Sequence, residues 1–387
     1  TPRVLSGAEV RALSVRSNTR GAMRTALHVG ALVLAGVGVA KAGPWTILPA
    51  MLLLGILQAA LFAPIHETMH LTVFRNRRAN AVLGWLAAGP SGLNWHFYTA
   101  FHLAHHRFTQ DPARDPELAP PPPGTLDTYL LRVLGVNYWR ARARVIADCW
   151  RGDLSGYAYI PTASGPRIIR SVRAMTVLMA ALAIGSALVW GWWAPFAFWI
   201  VPQLLGQPLL RLYLLTEHTE CTEDANGLTN TRTTLTNAAM RLLMWNMSFH
   251  TEHHLYPSIP FHRLPDAHAA VRDRLGVVQA GYARWHRGIL GGHPTARVAV
   301  RLPSAGADFV EVALQVGHAS VGVRPQHERH HARPAPHGHI DDGVGVAQHV
   351  AVLAEMRVQD AVMPLRLEAV AVHGVVLRRR GEVLEVD

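Results

Sequence analysis

The sequence has little cysteine, little lysine and few charged residues for its length of 387 residues. Only two cysteines are present, Cys149 and Cys221, so no disulfide framework holds the fold. Charged residues make up 16% of the chain and hydrophobic residues 50%, which is too apolar for a typical soluble protein and indicates membrane spans. Lys41 is the only lysine, which is typical of a GC-rich bacterial genome.

The positive charge of the chain is carried almost entirely by arginine, and the net charge is +11. These arginines are scattered beside apolar runs and accompany no nucleic-acid-binding motif, so the sequence predicts no nucleic acid partner. Arginine at the ends of apolar segments is instead typical of the cytoplasmic side of a membrane and its anionic lipids.

Long apolar runs predict four membrane spans, arranged as two pairs with a short turn inside each pair. The turns are Gly43-Pro44 and the tryptophan-rich segment 190–195. The sequence therefore predicts an all-α integral membrane protein with about four transmembrane helices, in which residues 25–296 form the membrane domain. The predicted spans are 25–40, 45–65, 174–192 and 195–215.

The arginines also predict the orientation of these spans. Residues 1–24 carry five arginines and are interpreted as a cytoplasmic arm, and further arginines begin the polar middle segment 66–171. The turns inside each pair of spans lack arginine. By the positive-inside rule, both termini and a helical cap formed by the middle segment face the cytoplasm of a multi-pass inner-membrane protein.

The C-terminal tail, residues 297–387, differs in composition from the rest of the chain. It contains no lysine, asparagine, threonine, cysteine, tryptophan or tyrosine. We interpret it as an extension of uncertain fold, either disordered or translated out of frame, with alternation at 308–316 and 368–376 that could form strands. His327, His330 and His331 repeat an H-x-x-H-H spacing there, which we interpret as a coincidence in a histidine-rich stretch.

Histidine is unusually frequent, with 23 residues, and many of them are clustered at helical spacings. Residues three or four positions apart lie on one face of a helix, so the imidazoles of a cluster can reach one metal ion. A single histidine also follows Glu217 at the end of the fourth predicted span. The clustered residues are His66 and His70; His102, His105 and His106; His218; and His250, His253 and His254.

These nine imidazoles are too many for one tetrahedral zinc ion and suit two metal ions with open positions. Imidazole binds zinc, copper, iron and nickel, and iron is the metal usually paired with O2 chemistry at open sites. Two alternatives stay open. His66-Glu67-x-x-His70 matches the zinc-protease motif H-E-x-x-H but leaves the other clusters unexplained. A metal transporter would place its ligands within the spans, whereas these lie at span ends.

The order and surroundings of the clusters resemble the membrane fatty-acid desaturase and hydroxylase superfamily, which has three histidine boxes and one extra histidine. The segment 105–117, HHRFTQDPARDPE, resembles the second box of that family. The segment 246–257, NMSFHTEHHLYP, and the following PFHRLP at 260–265 resemble the third. The resemblance covers about residues 45–290 of the chain.

The resemblance implies a non-haem di-iron centre held by the nine histidines, with no catalytic residue separate from the metal ligands. It implies that Asn246 contacts the metal through water and that Cys221 is not needed as a ligand. O2 would be the co-substrate, and an external ferredoxin- or cytochrome b5-type protein would donate electrons. Because metal-bound histidine usually donates its other N–H to a carboxylate or carbonyl, supporting carboxylates are expected. The candidates are Glu67, Glu217, Glu252, Asp111 and Asp115.

The resemblance further implies an enzyme that introduces a double bond into a fatty-acyl or related lipid chain. The nearest alternative is a hydroxylase or ketolase of the same superfamily acting on an alkyl, carotenoid or sphingoid lipid. The histidine boxes do not separate these reactions, because both begin with the same hydrogen abstraction from the lipid chain.

Overall fold

The computed structural model describes residues 4–119, 121–291 and six short segments between 297 and 385. The chain divides into two compact units, Thr1–Gly291 and Gly292–Asp387. The first unit is mostly helical. Its α-helices are α1 Gly7–Leu13, α2 Asn18–Lys41, α3 Ile47–Ala59, α4 Phe62–Met69, α5 Arg77–Ala88, α6 Trp95–Phe108, α7 Leu126–Val133, α8 Val136–Arg151, α9 Gly165–Trp190, α10 Val201–His218, α11 Ala238–Leu243, α12 His250–Leu255, α13 Leu264–Val271 and α14 Tyr282–Leu290.

Three helical stretches among the described residues are long and apolar enough to cross a membrane. They are Asn18–Lys41, Ile47–Met69 and Thr162–Trp190. The fourth predicted span, 195–215, forms a π-helical turn followed by α10, where buried glutamines interrupt the apolar run. The count of four spans and the cytoplasmic cap therefore stay predictions. The first stretch begins at Asn18, within the segment predicted to be a cytoplasmic arm, because Ser17 caps it by accepting from the Arg20 amide.

The second stretch is broken where α3 passes into α4. Pro64 has no N–H and crowds the preceding turn, so the regular hydrogen-bond ladder fails there. The Leu61 amide donates to the Gln58 carbonyl, and the Ala63 amide to the Ala60 carbonyl, each three residues back instead of four. As a result α3 and α4, which carries His66, are separate helices joined by a tight turn at Ala60 and Leu61.

Helices α3 and α10 cross at two glycines. A Cβ atom on Gly206 would lie 2.0 Å from the Gly55 carbonyl oxygen, and one on Gly55 would lie 2.0 Å from the Pro202 carbonyl oxygen. Only glycine permits the two backbones to approach so closely. This crossing packs α10, which ends with Glu217 and His218, against the helix that leads into α4.

The protein is mostly helical, as predicted, and most of its β-structure lies in the tail for which the sequence predicts no definite fold. In the first unit β1 Thr233–Leu235 pairs in parallel with β2 Val278–Ala280, and this short pairing lacks the alternation that would reveal it in the sequence. In the second unit the strand order β3-β4-β5-β6 is antiparallel throughout, and β7 pairs with β8. The predicted alternation at 308–316 coincides with β4, whereas 368–375 lies outside the described residues. The strands are β3 Arg297–Pro303, β4 Phe309–Gln315, β5 Leu353–Val358, β6 Ala361–Arg366, β7 Val376–Arg379 and β8 Glu382–Glu385.

Candidate metal centre

The structure brings the nine clustered histidines together as two adjacent groups within the first unit. In each group, one nitrogen from every imidazole lies within 4.8 Å of the others. The two groups share no residue, and both are mostly buried. The first group is His66, His70, His102, His106 and His253, and the second is His105, His218, His250 and His254.

Helical spacing explains how α6 and α12 serve both groups at once. The pairs four residues apart, His102 with His106 and His250 with His254, stay together within one group. The third histidine of each helix, His105 or His253, projects from the other edge of the histidine-bearing face. It therefore belongs to the other group. Both helices therefore run between the two groups. Asn94 fixes the start of α6 by accepting from the backbone amides of the first turn.

The imidazole nitrogens converge at separations that suit metal coordination. In the first group, His106 Nε2 lies 3.0 Å from His102 Nε2 and 3.1 Å from His253 Nε2. In the second group, His218 Nε2 lies 3.2 Å from His105 Nε2 and 3.0 Å from His250 Nε2. Two ligands each about 2.1 Å from one metal ion and at a right angle would be about 3.0 Å apart.

The protonation of these imidazoles also suits a metal site. Burial, and then the neighbouring imidazoles, hold the pKa of His102, His106 and His253 well below the ordinary value. The neutral form that results is the one that binds a metal ion. Both ring nitrogens of His66 are buried and have no hydrogen-bond partner in the protein, and a cation would satisfy the one that carries the lone pair. These residues therefore fit bound metal ions.

Hydrogen bonds on the outer ring nitrogens orient the inner ones toward each group. His105 Nδ1 lies 3.0 Å from both carboxylate oxygens of buried Asp115 and 3.2 Å from Glu117 Oε2. Burial alone would lower the pKa of His105, but Glu117 and then Asp115 outweigh it, and that pKa is raised. His218 Nδ1 donates to the Asn230 carbonyl at 3.1 Å. Such partners fix the tautomer that points Nε2 at a metal ion.

Two further outer ring nitrogens have polar neighbours, and of these His254 Nδ1 makes a hydrogen bond. His250 Nδ1 lies 3.5 Å from the buried Glu217 carboxylate, and His254 Nδ1 donates to the Thr109 hydroxyl at 3.3 Å. Sequence reasoning named Glu217 but missed Glu117 and Thr109. The sequence did contain an indication for Glu117, because this carboxylate follows Asp115 by two residues within the second box. The contact of Thr109 depends on the packing of α6 against α12, which no local pattern reports.

Two of the candidate carboxylates turn away from the histidines and tie their helices to neighbouring segments. Glu67 accepts from the Thr72 hydroxyl at 2.6 Å and from the Phe261 amide at 3.1 Å. Glu252 accepts from the Thr233 hydroxyl at 2.5 Å and from His268. Both acidic residues thus hold the histidine helices in place, Glu67 through the segment that contains Phe261 and Glu252 through Thr233 and His268.

The remaining candidates make their hydrogen bonds with groups other than the nine clustered histidines. Asp111 pairs with Arg114 and accepts from backbone amides in its own turn. Asn246 donates Nδ2 to the Phe261 carbonyl at 2.9 Å, so its contact with a metal through water stays a prediction. Cys221 belongs to neither histidine group.

Replacing Asp115 by alanine is expected to weaken metal binding at the second group by about 10- to 100-fold, because His105 loses its main orienting partner. Glu117 offers a second acceptor, so the double replacement Asp115→Ala, Glu117→Ala should lose more than the single one. Calorimetric titration of the purified protein with ferrous iron under nitrogen measures this effect. Asp111→Ala is the matched control, and equal affinities for Asp115→Ala and wild type would contradict the orienting role.

The fold and the site define a helical membrane protein with a buried, histidine-rich candidate metal centre. Residues 42–287, more than half of the chain, match the family model described as Fatty acid desaturase. The chain belongs to the fatty acid desaturase family and is an oxidoreductase. This membership replaces the zinc-protease and metal-transporter interpretations, which leave most of the clustered histidines without a role.

The chain is also similar to named relatives over more than half of its length. The chain is 23% identical over 235 residues to the sphingolipid delta(4)-desaturase of Drosophila melanogaster, which is 59% of this chain and 67% of that one. It is 22% identical over 271 residues to the sn-1 oleoyl-lipid 12-desaturase of a Picosynechococcus strain, with coverage of 65% and 77%. It is 29% identical over 248 residues to the beta-carotene ketolase of a Paracoccus strain, with coverage of 62% and 85%.

Proposed function

We propose that the chain is an O2-dependent, di-iron oxidoreductase that introduces a double bond into a fatty-acyl or related lipid chain. One observation carries the proposal: nine histidines from four separate helical segments meet as two adjacent buried groups of five and four. This division favours two neighbouring metal ions, one in each group. The two groups have no histidine in common, so one ion could not bind the imidazoles of both groups.

The residues of the two groups would hold one iron ion each. Bound there, the two ions would supply the oxidation of an unactivated C–H bond by O2. The chain itself holds the ligands in one orientation, through Asp115 and Asn230 on the second group and Tyr98 beside His102 on the first. Reducing equivalents would come from an external ferredoxin- or cytochrome b5-type donor.

An apolar cavity of about 620 Å³ supports a lipid substrate. It is lined by the later part of α2, the second half of α9 and residues 193–199, together with Gln58 and Pro90. A cavity of this size suits a long hydrocarbon chain, and its walls belong largely to the helices that could span a membrane. Gln58 precedes His66 by eight residues, which is about 12 Å along a helix axis. The lining also includes the turn at 190–195, which is predicted to face away from the cytoplasm, so a chain in the cavity would approach the first histidine group only at the Gln58 end.

The orientation in the membrane is part of the same proposal. The positive-inside rule supports an inner-membrane protein with both termini and the metal centre on the cytoplasmic side. That side is where a soluble electron donor could reach the protein.

A hydroxylase or ketolase of the same family is the second candidate. The similarity to a beta-carotene ketolase, at 29% identity, favours it specifically. The histidine geometry serves both reactions equally, so the product must decide between them.

Lipid profiles of a bacterial host test the proposal directly. The host expresses the wild-type chain or His253→Ala, each together with a redox partner, and total lipids are compared by mass spectrometry. A lipid lighter by two hydrogens, absent with His253→Ala, is the expected result. A product heavier by one oxygen atom would establish the hydroxylase instead. Identical lipids from both variants, in hosts supplied with fatty-acyl, sphingoid and carotenoid lipids, would contradict both candidates.

A further inference from the structure

His28 is a buried histidine that belongs to neither metal group. It lies in the middle of α2 and is 8% exposed. Its ring makes two hydrogen bonds, one to the backbone that precedes the first histidine pair and one to the segment that precedes the third histidine cluster. We infer that His28 is a positioning residue that holds these two parts of the metal centre in register. The inference rests on the proposed metal-binding role of the histidine groups.

The two hydrogen bonds require one form of the ring. Nε2 lies 2.9 Å from the Leu57 carbonyl oxygen, which can only accept, so Nε2 carries the hydrogen. Nδ1 then has a free lone pair and accepts from the Trp245 indole N–H at 3.3 Å. A neutral imidazole with the hydrogen on Nε2 is the state that satisfies both partners.

The first partner is the Leu57 carbonyl, which has lost its usual helical hydrogen bond at the break between α3 and α4. In a regular helix the Leu57 carbonyl would accept from the Leu61 amide. That amide donates to the Gln58 carbonyl instead, because of the break before Pro64. His28 therefore satisfies a buried backbone acceptor at the turn that joins α3 to α4. Helix α4 carries His66 and ends at His70, so this turn lies directly before the first histidine pair.

The second partner belongs to an unusual turn. Trp245 and Asn246 have φ angles of 51° and 62°, in the left-handed region that residues other than glycine rarely adopt. Such a conformation persists only when its surroundings hold it in place. Trp245 is 1% exposed and packs against Phe261, with ring centroids 4.8 Å apart. The turn leads into His250 at the start of α12.

A second connection shows why the two parts act together. The Phe261 amide donates to Glu67, the neighbour of His66. Trp245 thus contacts α4 through Phe261 and contacts the break before α4 through His28. Removing His28 would leave an unpaired carbonyl on one side and an unpaired indole N–H on the other, so both histidine-bearing segments would loosen.

The test compares His28→Leu, which removes both hydrogen bonds, with His28→Gln, whose amide can donate and accept like the ring. Ferrous iron binding to the purified full-length protein in detergent is measured by titration under nitrogen. We expect His28→Leu to bind iron at least about tenfold more weakly than wild type, and His28→Gln to bind within about twofold of it. Trp245→Phe should lose part of the affinity, and adding it to His28→Leu should cause little further loss.

Hydrogen–deuterium exchange of the metal-free protein tests the positioning role of His28 independently of the proposed function. Exchange in residues 57–66 and 244–250 should rise together in His28→Leu and return toward wild type in His28→Gln. A wild-type protein that bound no iron would refute the proposed function, whereas the exchange data would still stand. Unchanged exchange in either segment, or iron affinity in His28→Leu equal to wild type, would overturn the positioning role.

Discussion

Alanine at His253 is expected to remove one of two bound iron ions, and alanine at His218 the other. The two residues belong to different groups, and no histidine is common to both groups. Each lies within 3.2 Å of other imidazole nitrogens of its own group, so its loss opens one coordination shell and leaves the second ligand set complete. Iron content should fall from two ions to about one per chain in either variant.

Lipid product should fall by at least about 100-fold in both variants. Loss of a metal ligand should lower activity more than loss of a residue that only orients a ligand. Iron is measured by plasma mass spectrometry on purified protein, and product by the lipid profile described above. His330→Ala is the control, since it changes the same H-x-x-H-H pattern outside the described residues and should alter neither quantity. Full iron content in His253→Ala or His218→Ala would remove that residue from the proposed ligands.

Sequence spacing predicted that the histidines of each cluster share a helix face, and the structure places them so. It did not predict that His105 would separate from His102 and His106 into a second group. That division depends on α6 running between two other histidine-bearing segments, which is a matter of tertiary packing. The pairing of Asp115 with His105 was among the expected carboxylate contacts, whereas Asp111, which is nearer to His105 in sequence, pairs with Arg114.

The membrane helices show a similar limit. Apolar length predicted the stretches that begin at Asn18, Ile47 and Thr162, although their exact ends differ. The break before Pro64 could have been read from the proline itself. Its consequence could not, because the released Leu57 carbonyl is satisfied by a histidine 29 residues earlier in the chain. Long-range contacts of this kind leave no periodic signal.

The crossing of α3 and α10 carries the second large expected effect. Gly206→Val would place a branched side chain where the Gly55 carbonyl oxygen lies 2.0 Å from the new Cβ atom. Because that neighbour is backbone, no rotamer change relieves the clash, and the two helices must separate. Overpacking of a well-packed site usually costs about 1–3 kcal/mol, and we expect Gly206→Val to reach at least the upper end of that range.

Separation of these helices should also disturb the metal centre, because α10 ends at His218 and α3 leads to His66. Gly206→Val should therefore lower both the apparent melting temperature in detergent and the iron content per chain. The matched control is Gly38→Val, since a Cβ atom at Gly38 meets no atom within 4 Å. Gly38→Val should melt and bind iron like wild type. A Gly206→Val protein with wild-type melting and two iron ions would show that the close crossing does not position His218.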